Sequence, residues 1–188
     1  MTKPLFLVVS LISLFACSGT PEIRIDATEP LPRPESVAVS FSRVEVLAVS
    51  LPIYAQTEEI HQRDAGGAIL PIGMLWADEP ARGVTLELVR DLGAITGRLV
   101  APDPWPFRDR SDVRVDVRFD TFLTTQQNTF RIAGQVFIAP ENEGLADRAQ
   151  SFDISSQVFE IESAEAIARA RLQAIRDLAN FIARKGLR

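Results

Sequence analysis

Two stretches of strict alternation dominate the middle of the chain. Val113, Val115, Val117 and Phe119 alternate with Arg114, Asp116, Arg118 and Asp120, and after the polar stretch from Thr124 to Asn128 the period returns in Phe130, Ile132, Gly134, Val136 and Ile138. A period of two places the apolar set on one face and the charges on the other, so these segments predict an antiparallel hairpin with one wet face. A third strand is expected from Phe152 to Ile161, with a bulge or register change where the inward set shifts from Phe152 and Ile154 to Phe159 and Ile161. Upstream, Val37 to Leu51 lacks Gly and Pro and predicts one long strand ended by Pro52. Glu58 to Arg63 and Ala68 to Ile72 flank Asp64-Ala65-Gly66-Gly67 as a second hairpin. Arg98 to Ala101 predicts a short strand before the proline-rich turn at Pro102 to Pro106.

Two segments change period. Val84, Leu88, Leu92 and Ile95 fall three or four residues apart, ahead of a stop at Gly97 and behind a start at which Asp78 is expected to accept backbone N–H bonds, Glu79 to suit the positive end of the dipole and Pro80 to open the first turn. Gly83 and Gly93 would allow this helix to pack closely. Ser163 can cap a second helix running to about Arg184, with Ile167, Ile175, Leu178 and Ile182 on its buried face. Arg171 projects into that apolar stripe, where it must either snorkel to an edge or meet a carboxylate on the sheet. Strands, a helix, a meander and a closing helix make an α+β domain over residues 36–188, a largely antiparallel sheet with two amphipathic helices packed on one face.

The start of the chain follows different rules. Lys3 precedes a run from Pro4 to Ala16 that is apolar except at Ser10 and Ser13, too short to cross a bilayer, which takes about 20 residues. Residues 1–16 therefore read as a cleaved signal. Leu14-Phe15-Ala16-Cys17 resembles the bacterial lipobox, and the only cysteine in the chain stands where the acylated N-terminus would be. The alternative is an ordinary secreted protein cleaved near Ala16. A diacylglycerol and an N-acyl chain on Cys17 would anchor the protein, each buried methylene contributing about 0.8 kcal/mol. Ser18, rather than Asp, after the cysteine implies by the bacterial sorting pattern an outer-membrane address facing the periplasm. Residues 17–35, with Pro21, Pro30, Pro32 and Pro34, read as an extended tether.

Composition narrows the chemistry. Twenty Lys and Arg against 25 Asp and Glu leave a net charge of −5, which disfavours a nucleic-acid partner. One His and one Cys offer neither a zinc site nor an imidazole-assisted nucleophile, and no phosphate-binding glycine loop is present. His61 reads as an edge histidine. No cofactor, metal or catalytic set emerges, and an enzyme is not expected. The candidates that remain are contact residues: Trp76 before the first helix, Trp105 between two prolines, and the Arg114, Asp116, Arg118 ladder.

The order of these features resembles the PqiC-type auxiliary lipoproteins of ABC transport systems. The resemblance rests on the lipobox, Leu51-Pro52-Ile53-Tyr54, Ile60 and Arg63, Leu75-Trp76-Ala77-Asp78-Glu79-Pro80, Asp103-Pro104-Trp105-Pro106, the Val113 to Phe122 strand and the Ala-rich helix from Ser163. It spans roughly Val37 to Ile182. It implies a non-enzymatic subunit, anchored in the outer membrane and expected to form a homo-oligomeric ring, that works with an MCE-domain protein and an inner-membrane ABC transporter in moving lipid and keeping the envelope intact. A lipid carrier and an envelope assembly factor are the alternatives.

Overall fold

Alternation decides which residues reach the core. In the computed structural model, which describes residues 22–26, 31–141, 144–160 and 163–188, strand β6 (Val113–Thr125) buries Val113, Val115 and Val117 completely. Its hairpin partner β7 (Thr129–Pro140) does the same with Phe130 and Ile132. Each such side chain contributes about 1.5–3 kcal/mol on burial. Strand β8 (Arg148–Gln157) continues the meander on the far side of β7.

The other edge of β6 is shared by two strands laid end to end. β2 (Arg43–Val46) runs parallel to its first half, Val44 opposite Val113, and β3 (Glu59–Arg63) runs parallel to its last residues, Gln62 opposite Thr124. β5 (Leu99–Pro102) extends the sheet beyond β2. β4 (Ile69–Trp76) forms the expected hairpin with β3, and a two-residue strand, β1 (Arg24–Ile25), pairs in parallel with its end. The result is an α+β domain whose long ladders are antiparallel. Helix α1 (Pro80–Thr96) packs against β5 and helix α2 (Ala164–Phe181) against β7 and β8, the two touching each other over one face of the sheet.

The helix boundaries hold, with one shift at the start. Glu79 rather than Asp78 caps α1, accepting from the N–H groups of Ala81 and Arg82, while the only backbone N–H bonded to Asp78 among the described residues is that of Glu79. Pro80 opens the helix and Gly97 closes it with φ +63°. Ser163 accepts from the Ala166 N–H at the start of α2. That helix ends in a π-helical turn, Ile182–Gly186, in which Gly186 lies so close to Ile138 that a Cβ would stand 2.9 Å from its Cγ1.

Several expectations need correcting. The long strand over Val37 to Leu51 contracts to Arg43–Val46. Val37, Val39 and Phe41 do alternate inward, but their segment bonds to helix and chain ends: the Val37 N–H donates to the Ile95 carbonyl and the Ser40 N–H to that of Leu187. The expected bulge in β8 is absent, since β7 and β8 pair without a break from Thr129 opposite Gln157 to Ile138 opposite Arg148. The inward set stays with Phe152, Ile154, Ser156 and Val158, and the polar Ser156 at an inward position hid this from the pattern. Phe159 is 85% exposed. The bulge lies in β6, where Asp120 is the extra residue between the pairs Phe119 with Gly134 and Thr121 with Ala133. A Cβ added at Gly93 would meet nothing within 4 Å, so this glycine mediates no close packing.

Folded structure also begins earlier than Ser36. The Leu75 and Ala77 N–H groups donate to the carbonyls of Ile23 and Ile25, and Ile25 is buried. The signal run 1–16 and Cys17 lie outside the described residues, as does Ile161.

Candidate docking face and buried charge pairs

The side of the sheet away from the helices carries the charged half of the alternation. Arg114, Asp116 and Arg118 project from β6 onto this outer face, beside Gln135 and Phe137 of β7. They are already engaged within the chain. Arg118 donates through Nε and Nη2 to Asp116 Oδ2 at 3.1 and 2.8 Å, and its guanidinium lies 5.0 Å from the centre of the Phe137 ring. Arg114 Nε meets Glu141 Oε1 at 2.5 Å. One strand further, Arg131 and Asp153 pair at 2.6 Å. Exposed pairs of this kind are screened by water and contribute little to the fold, so they can be reorganised at little cost. Asp112 is not part of the ladder. It accepts from the N–H groups of Ser42 and Arg43 and from the Arg43 guanidinium. Burial pushes its carboxyl up, but those donors outweigh it and hold Asp112 below its ordinary value.

Trp105 stands on the loop that follows β5. Its indole N–H donates to the Asp109 carbonyl at 2.6 Å, and its ring meets Phe107 edge-on at 5.1 Å, leaving Phe107 46% exposed. The loop is tied down by Ser111, whose hydroxyl bonds Glu45 at 3.1 Å; Glu45 pairs with Arg114 across β2 and β6 and so shares the outer face. Arg114, Asp116, Arg118 and Phe137 thus share one face of the sheet, while Trp105 and Phe107 form a separate aromatic pair on the loop after β5.

Trp76 is not brought there. It is 3% exposed, edge-on to Phe122 and Phe130 at 6.4 and 6.0 Å, and belongs to the core. Its position at the end of β4 puts the ring under α2, where the Arg171 guanidinium lies 4.5 Å from its centre. The expectation for Arg171 is met in kind and corrected in place: its carboxylate, Glu87, comes from α1 rather than from the sheet. Both side chains are buried. Burial raises the Glu87 carboxyl above its ordinary value, against the attraction of Arg171. Five residues along α2, Arg176 reaches Asp91 at 2.9 Å and the Pro32 carbonyl at 2.5 Å, fastening the extended residues 31–39 across the helix pair. Sequence reading missed Glu87 and Asp91. Their signal was available, since the two carboxylates stand four apart on α1 within its buried face.

His61 wedges beside Tyr54, with ring centres 5.6 Å apart and Nδ1 3.0 Å from the Glu59 carbonyl. Among the described residues no cluster of His, Cys, Asp and Glu is arranged to hold a metal ion, and no helix is long and apolar enough to cross a membrane.

Comparison with known proteins agrees with this architecture. The family model for the ABC-type transport auxiliary lipoprotein component matches residues 26–183. Among solved structures, one described only as an uncharacterized protein superposes with a TM-score of 0.65 at 17% identity, covering 80% of this chain and 99% of its own. Protein XCC0632 from Xanthomonas campestris, of family DUF330, superposes with a TM-score of 0.59 at 18% identity, covering 87% and 90%. No curated protein matches the sequence.

Proposed function

Since the chain belongs to the ABC-type transport auxiliary lipoprotein component family, we propose that it acts as a non-enzymatic docking subunit, anchored through Cys17 in the outer membrane and facing the periplasm. Its partners in this reading are an MCE-domain protein and the inner-membrane transporter of the same system, which move lipid across the envelope and keep it intact. The ATP-hydrolysing step belongs to another polypeptide.

The observation that carries the docking role is the outer face of the β6, β7 and β8 meander, which no helix covers among the described residues. Helices cover the opposite face, while this one presents Arg114, Asp116, Arg118 and Phe137, and the loop after β5 adds the Trp105 and Phe107 pair as a second candidate contact. A charged field steers encounter and a rigid aromatic anchor supplies the buried centre of an interface. The same ladder can register neighbouring copies of the chain in a homo-oligomer.

The test is affinity capture of the detergent-extracted mature protein, with mass spectrometry of bound proteins and lipids, in the wild type, Trp105→Ala and Asp116→Arg. Recovery of an MCE-domain protein by the wild type and its loss from both variants is the expected result. Stoichiometric phospholipid without a protein partner overturns the docking role in favour of a lipid carrier. Unchanged native mass in Asp116→Arg removes the ladder as an oligomer contact.

A further inference from the structure

β8 is the last strand of the sheet on the side of α2, and among the described residues it pairs only with β7. The chain's own C-terminus occupies the near end of this edge: Arg148 donates to the carbonyls of Gly186 and Arg188, and Gln150 to that of Lys185. From Ser151 to Gln157 the outward backbone groups have no ladder among the described residues, which is the template to which an extended chain adds as a further strand.

A groove of about 570 Å³ runs beside that open stretch, between the end of β8 and α2, with Ser155, Ser156 and Phe159 on one wall and Ala166, Arg169 and Ala170 on the other. Three observations point to an occupant. Ser156 is 6% exposed, and its hydroxyl, facing the helix side of the strand, has no hydrogen-bond partner among the described residues. A buried hydroxyl without a partner is destabilising, a deficit that a donor or acceptor entering the groove can relieve as the wall over Ser156 adjusts. Phe159 stands 85% exposed at the mouth, an aromatic with no cover. The rim is acidic: Glu160, Glu165 and Asp177 line it, and Arg169 is engaged by Glu165 at 3.2 Å.

We propose that β8 and this groove bind an extended, basic segment of a partner protein. The segment adds to β8 through its backbone, places one apolar side chain against Phe159, Ala166 and Ala170, and sets its Lys or Arg side chains against Glu160 and Asp177. Alternation along the added strand explains why an edge and a groove stand side by side, because every second side chain of the newcomer faces the groove. This surface is separate from the outer face, and its test does not depend on the docking role proposed above.

The probes are a nine-residue peptide alternating valine and lysine and a matched peptide alternating valine and glutamate, titrated into the detergent-solubilised mature protein. Binding is followed by fluorescence anisotropy, and hydrogen exchange by mass spectrometry locates it. The lysine peptide is expected to bind at least tenfold more tightly than the glutamate peptide, with new protection confined to residues 151–160. Ala166→Arg, which fills the groove from a half-buried helix position, should weaken it at least tenfold. Glu160→Lys and Phe159→Ser, both at exposed positions, should weaken it severalfold without change in the far-UV spectrum. Equal affinity for the two peptides, protection elsewhere, no binding at millimolar peptide, or affinity unchanged by all three substitutions would each overturn the proposal. So would protection of β8 that rises with protein concentration and native mass in the absence of peptide, which would assign the edge to a second copy of the chain.

Discussion

Replacing Arg171 by Met should be among the most damaging conservative changes available to this fold. The guanidinium sits between Glu87 and the Trp76 ring, and both ionic side chains are nearly sealed from solvent, at 7% and 6% exposure. Truncating one partner of a buried pair leaves the other charge uncompensated, which costs about 3–5 kcal/mol. For a chain of this size each kcal/mol lowers Tm by roughly 2–4 °C, so the variant should melt roughly 6–20 °C below the wild type. Protonation of Glu87 limits the loss. Burial already raises its carboxyl above the unfolded value of 4.5, so above that pH the folded state holds more protons than the unfolded one, and stability falls as pH rises through the folded pKa. Without Arg171, whose attraction opposes that rise, the folded pKa climbs further. The deficit of the variant should therefore widen from acid to neutral pH. Urea unfolding followed by circular dichroism across that range measures it. Adding Glu87→Leu to Arg171→Met should recover most of the loss, because the orphaned charge goes with it. A single variant within about 1 kcal/mol of the wild type at every pH, or a deficit that Glu87→Leu leaves unchanged, would refute the coupling.

Other consequences are equally direct. Gly134→Ala would place a Cβ 2.0 Å from the Arg118 carbonyl oxygen, backbone that cannot move aside, and should cost about 3 kcal/mol, seen as reduced soluble yield and a lowered urea midpoint. Asp112→Asn should cost about 1–2 kcal/mol at neutral pH through weakened bonds to Ser42 and Arg43. Because the folded carboxyl titrates below 3.8, the contribution of Asp112 persists above that pH and is lost as pH falls through the folded pKa, so the difference between the variant and the wild type should close in strong acid. Cys17→Ala should abolish acylation, measured by labelled palmitate, and move the protein from the membrane to the soluble fraction.

What could be read beforehand followed from short-range physics. The helix start at Asp78-Glu79-Pro80, its stop at Gly97, the β3–β4 turn and the β6–β7 hairpin all declare themselves within a few residues, although the cap is Glu79 rather than Asp78. The sharing of one β6 edge by β2 and β3 depends on contacts across the whole chain, and no local pattern encodes it. Ser156 and Leu123 show a second limit: a polar residue turned inward and an apolar one past a bulge each break the period that pattern reading relies on. Of the candidate contact residues, Arg114, Asp116 and Arg118 had a legible face because alternation fixes it. Trp76, next to a helix start, fitted the core better than an interface on sequence grounds, and its burial against Phe122 and Phe130, with Arg171 approaching from a helix almost a hundred residues later, places it there.

The two residues of β1 have a bearing on geography. If the chain were loose from Cys17 to Ser36, the lipid could hold the domain at the end of a leash of roughly 65 Å, at about 3.3–3.6 Å per residue. With Ile23 and Ile25 bonded to Leu75 and Ala77, and Arg24 paired to Glu58 at 2.7 Å, the leash can run only from Cys17 to Glu22. Its full stretch is about 17 Å. An acylated Cys17 would therefore moor the domain against the bilayer by its β1 edge, with β8 at the opposite end of the sheet turned toward open water. Under such an anchor, a partner from across the envelope would have to come to this protein, whose own reach would be limited to that short tether.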